Sequence, residues 1–577
     1  MPLTLVDGRP EGWSIRRIGV IGPGIVGMPM AAMLAHARII EGSDAPARVT
    51  VVQRASPTSG WKVDAINAGK SPIGGVEPDL DRIVAESVTA GVLDATHDVA
   101  DLADADVVLV CVQTDKKGFG PDYGPMFDAL TGLAAALARK PAGNVPLVVF
   151  ESTLAPSSMA TLMRDHFARF GLVEGRDVLL GNSPNRVMPG RLVERVRGSD
   201  KIVAGLHPAT PGLIRRLYAR IVTEGTLHPT NSLTAETVKT LENAYRDVRI
   251  AYAAEVVRWC DDRDVDFFAL RDEVNQRLAQ EDAASGNPTA VPVGGLLVPT
   301  VGVGGHCLPK DGILLWWRRL ESGHDGQDSL ILHARKVNDA SPARTIALAE
   351  RAFGDLSGRR VALLGTAYRF DSEDTRNSPT LVLARLLREK CASVTLTDPY
   401  VKPGDQNLLR TGLDPFFVAD RDAALRGADV AFACTGHRVY ADDIPGILAA
   451  AGPNLKGFVD ACNVTNRQAV ESRGVGYTGI GRGRGGPDEE LVQAVLAGFQ
   501  AVERGVAREV ADLVAFYNQR YADTDFQKVV FADVQRIAGT CSTGCAIVDP
   551  LPPEPVPSFQ DFRSTLVDCA FGRGPTP

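Results

Sequence analysis

The sequence has few cysteines, and it has no long hydrophobic segment. Nine cysteines are scattered over 577 residues, which is typical of a reducing compartment and not of a disulfide-stabilised secreted fold. No apolar run approaches the roughly 20 residues that a bilayer-spanning helix needs. The opening residues, MPLTLVDGRPEGWSI, have neither a basic start nor a long apolar stretch, so we expect no secretory signal. These absences together predict a cytoplasmic protein.

An excess of basic residues is also missing. The net charge of −8 argues against broad binding to nucleic acid or to an acidic membrane. Cys541 and Cys545 are the closely spaced cysteines, and no second pair of ligands stands at a spacing that zinc uses. We therefore expect no metal site. The remaining composition, 45% hydrophobic and 23% charged, is typical of a globular enzyme with several domains.

Strand-like apolar runs alternate with helical or loop segments over about residues 14–230. The first unit of the pattern is RRIGVIGPGIVGMPMAAMLAHA, and the later runs are RVTVVQR, DVVLVCVQT, PLVVFEST, VLLGNSP and KIVAGL. This alternation predicts a doubly wound, mainly parallel α/β sheet. A second pattern of the same kind begins near residue 358 with RRVALLGTAYRF and ends near GYTGIGRG. The fold class is therefore α/β, with two Rossmann-like domains.

Between these two domains the pattern becomes helical. From Thr234 the stretch TAETVKTLENAYRDVRIAYAAEVVRWCDDRDV contains neither Pro nor Gly, which predicts one long helix that joins domains or makes a dimer contact. The Pro- and Gly-rich passage SGNPTAVPVGGLLVPTVGVGGHC is predicted to be a loop. After about Gly483 a further helix is predicted at DEELVQAVLAGFQAVERGVAREVADLVAFYNQRY, and DPLPPEPVPSF is predicted to be extended.

The first strand leads into a glycine-rich turn. Gly22, Gly24 and Gly27 form the pattern G-x-G-x-x-G between a strand and a helix, which is the context that dinucleotide binding requires. The second strand ends in Gln53 and Arg54, where NAD-binding sites usually have an acidic residue. NAD is the expected cofactor, and Arg54 keeps NADP open as an alternative. The expected cofactor contacts are Gly22, Gly24, Ile25, Val26, Gly27, Gln53, Arg54, Thr114 and Thr153.

One cysteine has an unusual sequence context. Cys307 lies in PTVGVGGHCLPKDGI, after a glycine-rich run and just before Lys310 and Asp311. A helix N-terminus and a nearby cation would both favour the thiolate, but a small buried residue in a turn would have the same pattern. On the predicted long helix, Lys239 and Asn243 share a face because they are four residues apart. Such pairs are most often simply a solvated helix surface.

Nine motifs, in order across residues 16–482, carry a resemblance to a known family. They are GVIGPGIVGMPMA, INAGKSPIGGVEPDL, ESTLAPSS, SPNRVMPGR, KTLENAYRDVRIA, GVGGHCLPKD, GTAYRFDSEDTRNSP, DPY and GIGR. In this order the chain resembles the nucleotide-sugar 6-dehydrogenases, which include UDP-glucose, GDP-mannose and UDP-N-acetylhexosamine dehydrogenases. The resemblance implies an NAD-binding Rossmann domain at 1–230 and a central helical dimerisation region with the cysteine loop at 231–340. It further implies a Rossmann-like nucleotide-sugar-binding domain at 341–483, followed by an extension of unknown role at 484–577.

The resemblance also implies a reaction and a set of residue roles. The family oxidises C6 of the sugar from alcohol to carboxylate with two NAD, through a cysteine thiohemiacetal and thioester. The implied catalytic residues are Cys307, Lys239, Asn243, Asp311 and Thr153, and the implied substrate contacts are Asn185, Arg186, Lys239, Asn243, Gly304, Gly305 and Arg376. A UDP-sugar is the expected partner, and a homodimer or higher homo-oligomer is expected to form through the central helix.

Two features of the motifs refine this interpretation. Relatives usually have Glu where SPNR has Asn185, and an amide cannot act as a base. Glu194 lies nearby in sequence and is a possible substitute. The motifs ENAYRDVRIAYAAE, MPGR, EST and GVGGHC look more like the UDP-N-acetylhexosamine branch than the UDP-glucose branch. The alternatives are UDP-glucose oxidation, a two-electron hydroxyacid-type dehydrogenase, and a nucleotide-sugar binder without catalysis.

Overall fold

The computed structural model describes residues 3–6, 8–74, 77–140, 144–188, 190–285, 295–541, 544–557 and 562–573. It divides into two compact units. The first unit comprises Met1–Glu242, Leu314–His324 and Ala511–Cys545. The second unit comprises Asn243–Ile313, Asp325–Val510 and Ala546–Pro577.

The first unit contains an eight-stranded sheet. Its strands are β1 (Arg17–Ile21), β2 (Arg48–Val52), β3 (Leu93–Thr96), β4 (Val107–Val110), β5 (Leu147–Phe150), β6 (Leu179–Asn182), β7 (Lys201–Gly205) and β8 (Leu227–Asn231). The strand order is β8-β7-β6-β5-β4-β1-β2-β3, and every neighbouring pair is parallel except β6 and β7. The order reverses between β1 and β4, which is where open α/β sheets bind ligands.

Helices cover both faces of this sheet because its central strands are apolar on both sides. They are α1 (Gly27–His36), α2 (Trp61–Asn67), α3 (Leu80–Thr89), α4 (Gly124–Leu137), α5 (Arg164–Ala168), α6 (Leu192–Gly198) and α7 (Thr210–Tyr218). In β4, Val107 and Leu109 pack into one apolar cluster with α1 and α3. Val108 and Val110 pack into the other cluster with α4 and α5. The strand alternation therefore places one core on each face of the sheet.

Three longer helices follow. The predicted long helix is α8 (Ser232–Asp262), with 31 residues, and it is succeeded by α9 (Phe267–Ser285) and α10 (Leu308–Glu321). The boundary between the two units falls within α8. Of the predicted loop before Cys307, residues 286–294 lie outside the described residues, and 295–307 contain neither helix nor strand.

The second unit contains a five-stranded parallel sheet. Its strands are β9 (Arg360–Leu364), β10 (Ser393–Thr397), β11 (Val430–Ala433), β12 (Gly457–Asp460) and β13 (Gly476–Gly479), in the order β10-β9-β11-β12-β13. Its helices are α11 (Leu330–Asp339), α12 (Ser341–Phe353), α13 (Pro379–Arg388), α14 (Gln406–Thr411), α15 (Arg421–Leu425), α16 (Arg438–Ala441), α17 (Ile444–Ala451) and α18 (Arg467–Glu471). The expected α/β class with two Rossmann-like sheets is thus confirmed.

The C-terminal extension is mainly helical. It contains α19 (Glu489–Tyr521), with 33 residues, α20 (Phe531–Ala538) and α21 (Thr565–Ala570). Residues 549–557 of the predicted extended stretch have no helix or strand, and the last two, Ser558 and Phe559, lie outside the described residues. Within the part of the chain that is described, no helix combines the length and apolarity needed to cross a membrane.

Candidate active site

The glycine-rich turn between β1 and α1 leaves no room for side chains at two of its three glycines. Gly22 has a φ of +95°, and a β-carbon on it would lie 2.8 Å from the carbonyl oxygen of Cys111. A β-carbon on Gly27 would lie 2.1 Å from the carbonyl oxygen of Gly22. Gly24, in contrast, has nothing within 4 Å of that position, so a pyrophosphate could approach the backbone there. This geometry fits a dinucleotide at the N-terminus of α1.

The other residues expected at the cofactor lie at strand ends of the same sheet. Gln53 follows β2, and its Nε2 donates to the Ser59 hydroxyl at 3.0 Å. Arg54 and Ile25 are exposed. Val26 is the residue directly before α1. Gln53 and Arg54 are polar residues at the position where the cofactor ribose is expected.

A second pair of expected residues is joined directly. The hydroxyl of Thr114, which follows β4, donates to the carbonyl oxygen of Thr153 at 2.8 Å. Thr114 is buried and Thr153 is half-buried. The bond connects the loops that follow β4 and β5, two neighbouring parallel strands. It places both threonines at the carboxyl edge of the sheet, where ligands bind in this fold.

A buried ionic group, whose residues were not among the predicted site residues, lies at the end of β5. The carboxylate of Glu151 is 2.7 Å from Lys201 Nζ and accepts a hydrogen bond from the Tyr218 hydroxyl. All three side chains are buried. Burial, together with the Glu151 charge, raises the pKa of Tyr218 well above its usual range. A charged residue directly after a buried strand is the signal that could have pointed to Glu151.

Asn185 belongs to the same group. Its Nδ2 donates to Glu151 Oε2 at 3.4 Å, and its Oδ1 accepts from the backbone N–H of Val187 at 2.8 Å. Both ends of the amide therefore have protein partners. Where an acid was expected from the family pattern, the structure has an amide in contact with a buried carboxylate.

Arg186 and Lys239 are also enclosed in the first unit. The guanidinium of Arg186, whose side chain is 5% exposed, forms an ion pair with Glu242. It also donates to Thr540 Oγ1 at 2.8 Å and to the Ile537 carbonyl at 3.0 Å. Lys239 is a buried residue on α8. The expected substrate contact of Arg186 remains a prediction, and its described partners belong to the protein.

The glycines before Cys307 allow the loop to lie directly on another segment of the second unit. A β-carbon on Gly304 would lie 2.4 Å from the Tyr368 Cβ. Gly305 has a φ of +86°, and a β-carbon on it would lie 2.9 Å from the Tyr368 ring. The Gly305 N–H donates to the Arg376 carbonyl at 2.8 Å, and its carbonyl accepts from Asn377 Nδ2 at 3.0 Å. The run of glycines is therefore required by close backbone approach.

Cys307 itself is exposed at the start of α10. Its carbonyl accepts the N–H groups of Lys310 and Asp311, at 3.1 and 3.0 Å, in the first turn of this helix. The Gly305 hydrogen bond places the backbone of Arg376 beside this loop. The ion pair of Arg376 with Asp374, at 2.5 Å, is the main reason that the pKa of its guanidinium is raised, and Cys307 makes a smaller contribution. A helix N-terminus is a feature that favours a thiolate.

The carboxylate of Asp311 is fully buried one turn into α10. Its Oδ2 accepts from Asn243 Nδ2 at 2.6 Å, and its Oδ1 is 2.5 Å from Lys310 Nζ. The structure thus brings Asn243 and Asp311 together, although 68 positions separate them in sequence. A buried carboxylate held by a cation and an amide is fixed in orientation.

A Rossmann sheet with a glycine turn of this geometry is typical of dinucleotide-binding enzymes. The chain belongs to the UDP-glucose/GDP-mannose dehydrogenase family, whose members are NAD-dependent oxidoreductases that act on nucleotide-sugars. Residues 16–222 match the NAD binding domain of the family, 233–340 match the central domain, and 362–467 match the UDP binding domain. The expected family, enzyme class and NAD cofactor are therefore confirmed.

The similar proteins include acetylated-sugar dehydrogenases. The UDP-N-acetyl-D-mannosamine dehydrogenase of Pyrococcus horikoshii is 31% identical over 472 residues, which cover 81% of this chain and 99% of that protein. The NDP-N-acetyl-D-galactosaminuronic acid dehydrogenase of Ralstonia nicotianae is 30% identical, covering 74% of this chain and 92% of the relative. The crystal structure of NDP-N-acetyl-D-galactosaminuronic acid dehydrogenase from Methanosarcina mazei is 30% identical, with a TM-score of 0.66, covering 81% of this chain and 96% of that one.

Proposed function

We propose that this chain oxidises C6 of a UDP-N-acetylhexosamine, with UDP-N-acetyl-D-mannosamine as the first candidate, from the alcohol to the carboxylate. The reaction consumes one water and two NAD, and yields the carboxylate, two NADH and three protons. Similarity to dehydrogenases of UDP-N-acetyl-D-mannosamine supports the choice of sugar. NAD, bound at the turn between β1 and α1, would accept one hydride from C6 in each of the two oxidations.

Cys307 is the proposed nucleophile, and its position is the observation that carries the proposal. It is exposed at the N-terminus of α10, two residues after Gly305, whose N–H donates to the Arg376 carbonyl oxygen. The thiolate adds to the C6 aldehyde of the first oxidation and forms a thiohemiacetal. The second oxidation converts this adduct into a thioester. Water then cleaves the carbon–sulfur bond, which releases the carboxylate and restores the thiol.

The remaining residues are assigned supporting roles. Lys239 and Asn243 would stabilise negative charge on the C6 oxygen, and Asp311, held by Asn243 and Lys310, would orient water for hydrolysis. Thr153 would position that water.

Binding roles follow the family domains. We assign contacts with the nucleotide-sugar to Gly304, Gly305 and Arg376. These residues are adjacent, because the Gly305 N–H donates to the Arg376 carbonyl oxygen. Asn185 and Arg186 remain proposed substrate contacts. The assigned domains are an NAD-binding domain at 1–230, a central helical region with the catalytic cysteine loop at 231–340 and a nucleotide-sugar-binding domain at 341–483.

Substitution of Cys307 tests the mechanism. With the parent chain we expect two NADH for each sugar oxidised, and a uronic acid product. Cys307→Ala removes the sulfur and should abolish acid formation, while binding of the UDP-sugar, measured by calorimetry, persists. The matched control is Cys391→Ala, since Cys391 is a half-buried cysteine elsewhere in the second unit and should leave turnover unchanged.

The assay also tests the substrate. NADH formation would be followed with UDP-N-acetyl-D-mannosamine, UDP-N-acetylglucosamine, UDP-glucose and GDP-mannose, each with NAD and with NADP. A Cys307→Ala chain that makes acid at the parent rate would refute the cysteine mechanism. One NADH per sugar in the parent chain would indicate a two-electron oxidation instead.

A further inference from the structure

The C-terminal extension is additional to what the family shares. The family models end at residue 467. The Pyrococcus horikoshii relative is matched over 99% of its own length but accounts for 81% of this chain. The extension nevertheless does not form a body of its own, because Ala511–Cys545 group with the first unit and Ala546–Pro577 with the second.

Within the second unit, α19 lies antiparallel along α8. The Tyr245 hydroxyl donates to Glu503 Oε2 at 2.7 Å, and Arg249 Nε is 3.7 Å from Glu503 Oε1. About two turns beyond Tyr245 on α8, the Tyr252 hydroxyl donates to the Val495 carbonyl at 2.8 Å. As residue numbers rise along α8, those of its partners on α19 fall, so the two helices run in opposite directions.

Two glycines of α19 lie in crowded positions. A β-carbon on Gly498 would lie 2.4 Å from the hydroxyl of Tyr252 on α8. A β-carbon on Gly505 would lie 2.7 Å from the Ala570 Cβ of α21 and 2.9 Å from Leu330 Cδ1. A side chain at either position would therefore displace a neighbouring side chain of the same unit.

The end of α8 supplies a buried acid that the extension satisfies. Glu255 is 6% exposed, and its carboxylate accepts from Ser564 Oγ at 2.6 Å and from the Thr565 N–H at 3.0 Å. These donors lie at the N-terminus of α21, where a helix favours negative charge. A buried carboxylate is unfavourable without such partners. The sequence of α8 is therefore complementary to the extension of the same chain.

Within the first unit, the extension has a second set of attachments. The Tyr517 hydroxyl donates to the Leu315 carbonyl at 2.7 Å, and Asn231 Nδ2 donates to the Lys528 carbonyl at 2.9 Å. Arg186 donates to Thr540 Oγ1 and to the Ile537 carbonyl at the end of α20. The extension is thus bound to family-domain residues along much of its length.

We propose that residues 484–577 are an internal partner of α8. Within one chain, these residues occupy a surface that a long central helix would otherwise offer to a second copy. In this arrangement the partner of Arg249 and Glu255 on α8 is the chain's own C-terminal segment. This proposal differs from the sequence-based expectation of a dimer through the central helix. It does not depend on the proposed reaction.

Cross-linking of the full chain tests whether the contact is internal. Arg277 on α9 and Glu489 on α19 form an ion pair at 2.6 Å, with side chains 27% and 65% exposed. The double variant Arg277→Cys/Glu489→Cys is treated with a short bismaleimide, and the linked peptide is identified by mass spectrometry. In parallel, a ¹⁵N-labelled Arg277→Cys chain is mixed before purification with an unlabelled Glu489→Cys chain and treated in the same way. Identifying the linked peptide by its mass keeps native thiols such as Cys307 from confusing the result.

The two arms give opposite results for the two arrangements. We expect a 277–489 link within single chains of the double variant, and no labelled–unlabelled link in the mixture. A labelled–unlabelled link would overturn the proposal, because the extension would then bind another copy. Absence of the link in the double variant would overturn it too.

Amide hydrogen exchange of the parent chain provides a second measurement. If the extension covers α8 internally, protection of residues 243–262 is unchanged on strong dilution. Loss of that protection on dilution would show that a second chain covers the helix, which contradicts the proposal.

Discussion

Glu503 makes the stability of this protein depend on pH in a way that one substitution can isolate. Its carboxyl is buried between Tyr245 and Arg249. Burial raises its pKa from 4.5 to about 7, against the opposing effects of Arg249 and Tyr245. In the unfolded chain the same group has an ordinary pKa. The folded chain therefore holds a proton on Glu503 at pH values where the unfolded chain has released it.

The sign and size of the effect follow from this difference. Because the folded-state pKa of Glu503 is raised, its protonation contributes to the free energy of unfolding. This contribution is fully present below the unfolded pKa and is lost as the pH rises through the folded pKa. At about 1.36 kcal/mol per pKa unit, the full loss is about 3.4 kcal/mol. About 2.5 kcal/mol of this is lost between about pH 5 and about pH 8.5.

Glu503→Gln removes the titration and keeps the shape and an acceptor for Tyr245. Between about pH 5 and pH 8.5 we expect the free energy of unfolding of the variant to increase by about 2.5 kcal/mol relative to that of the parent, because only the parent loses this stabilisation. Urea unfolding followed by circular dichroism at the two pH values measures this change. Glu490→Gln, at an exposed position of the same helix, should show no such change. If Glu503→Gln kept the pH dependence of the parent, burial of an ionisable Glu503 would be refuted.

Two further substitutions test the first unit. Gly27→Ala places a β-carbon 2.1 Å from a backbone carbonyl, so we expect weaker NAD binding by calorimetry and a destabilisation of about 1–3 kcal/mol. Gly212→Ala, in open space on α7, should leave NAD binding unchanged and should stabilise the protein by about 0.5–1 kcal/mol, because Ala favours a helix. Tight NAD binding by Gly27→Ala would contradict the assigned site. Lys201→Met leaves the Glu151 charge buried without its cation, which should lower the stability measured by thermal unfolding by about 3–5 kcal/mol. Lys117→Met, at an exposed position, should be nearly neutral. Equal melting temperatures for the two variants would refute a buried pair.

Local patterns in the sequence predicted the features that depend on neighbouring residues. The apolar runs predicted the strands, and the glycines between β1 and α1 predicted a turn whose crowding at Gly22 and Gly27 is evident in the structure. The absence of Pro and Gly predicted α8, which begins at Ser232, two residues before the predicted start. The strands, the turn and the helix depend mainly on residues that are close in sequence, whereas the crowding at Gly22 also depends on Cys111 in the loop after β4.

Contacts between distant residues could not be predicted in the same way. Glu151 is 50 positions from Lys201 and 67 from Tyr218, and no spacing rule connects them. Asn243 looked like a residue of a solvated helix face, yet it donates to the buried Asp311. Tyr245 and Glu255 of α8 gave no sign that they are buried, because their partners, Glu503 and Ser564, lie in a segment that follows both α/β domains. Tertiary packing decides these environments.

The loop before Cys307 has a mechanical consequence. Gly304 and Gly305 lie against Tyr368, and Gly305 is hydrogen-bonded to Arg376 and Asn377 on both its N–H and its carbonyl. A displacement of the 368–377 segment would therefore also shift the backbone two residues before Cys307. A ligand bound against that segment would in this way change the position of the thiol.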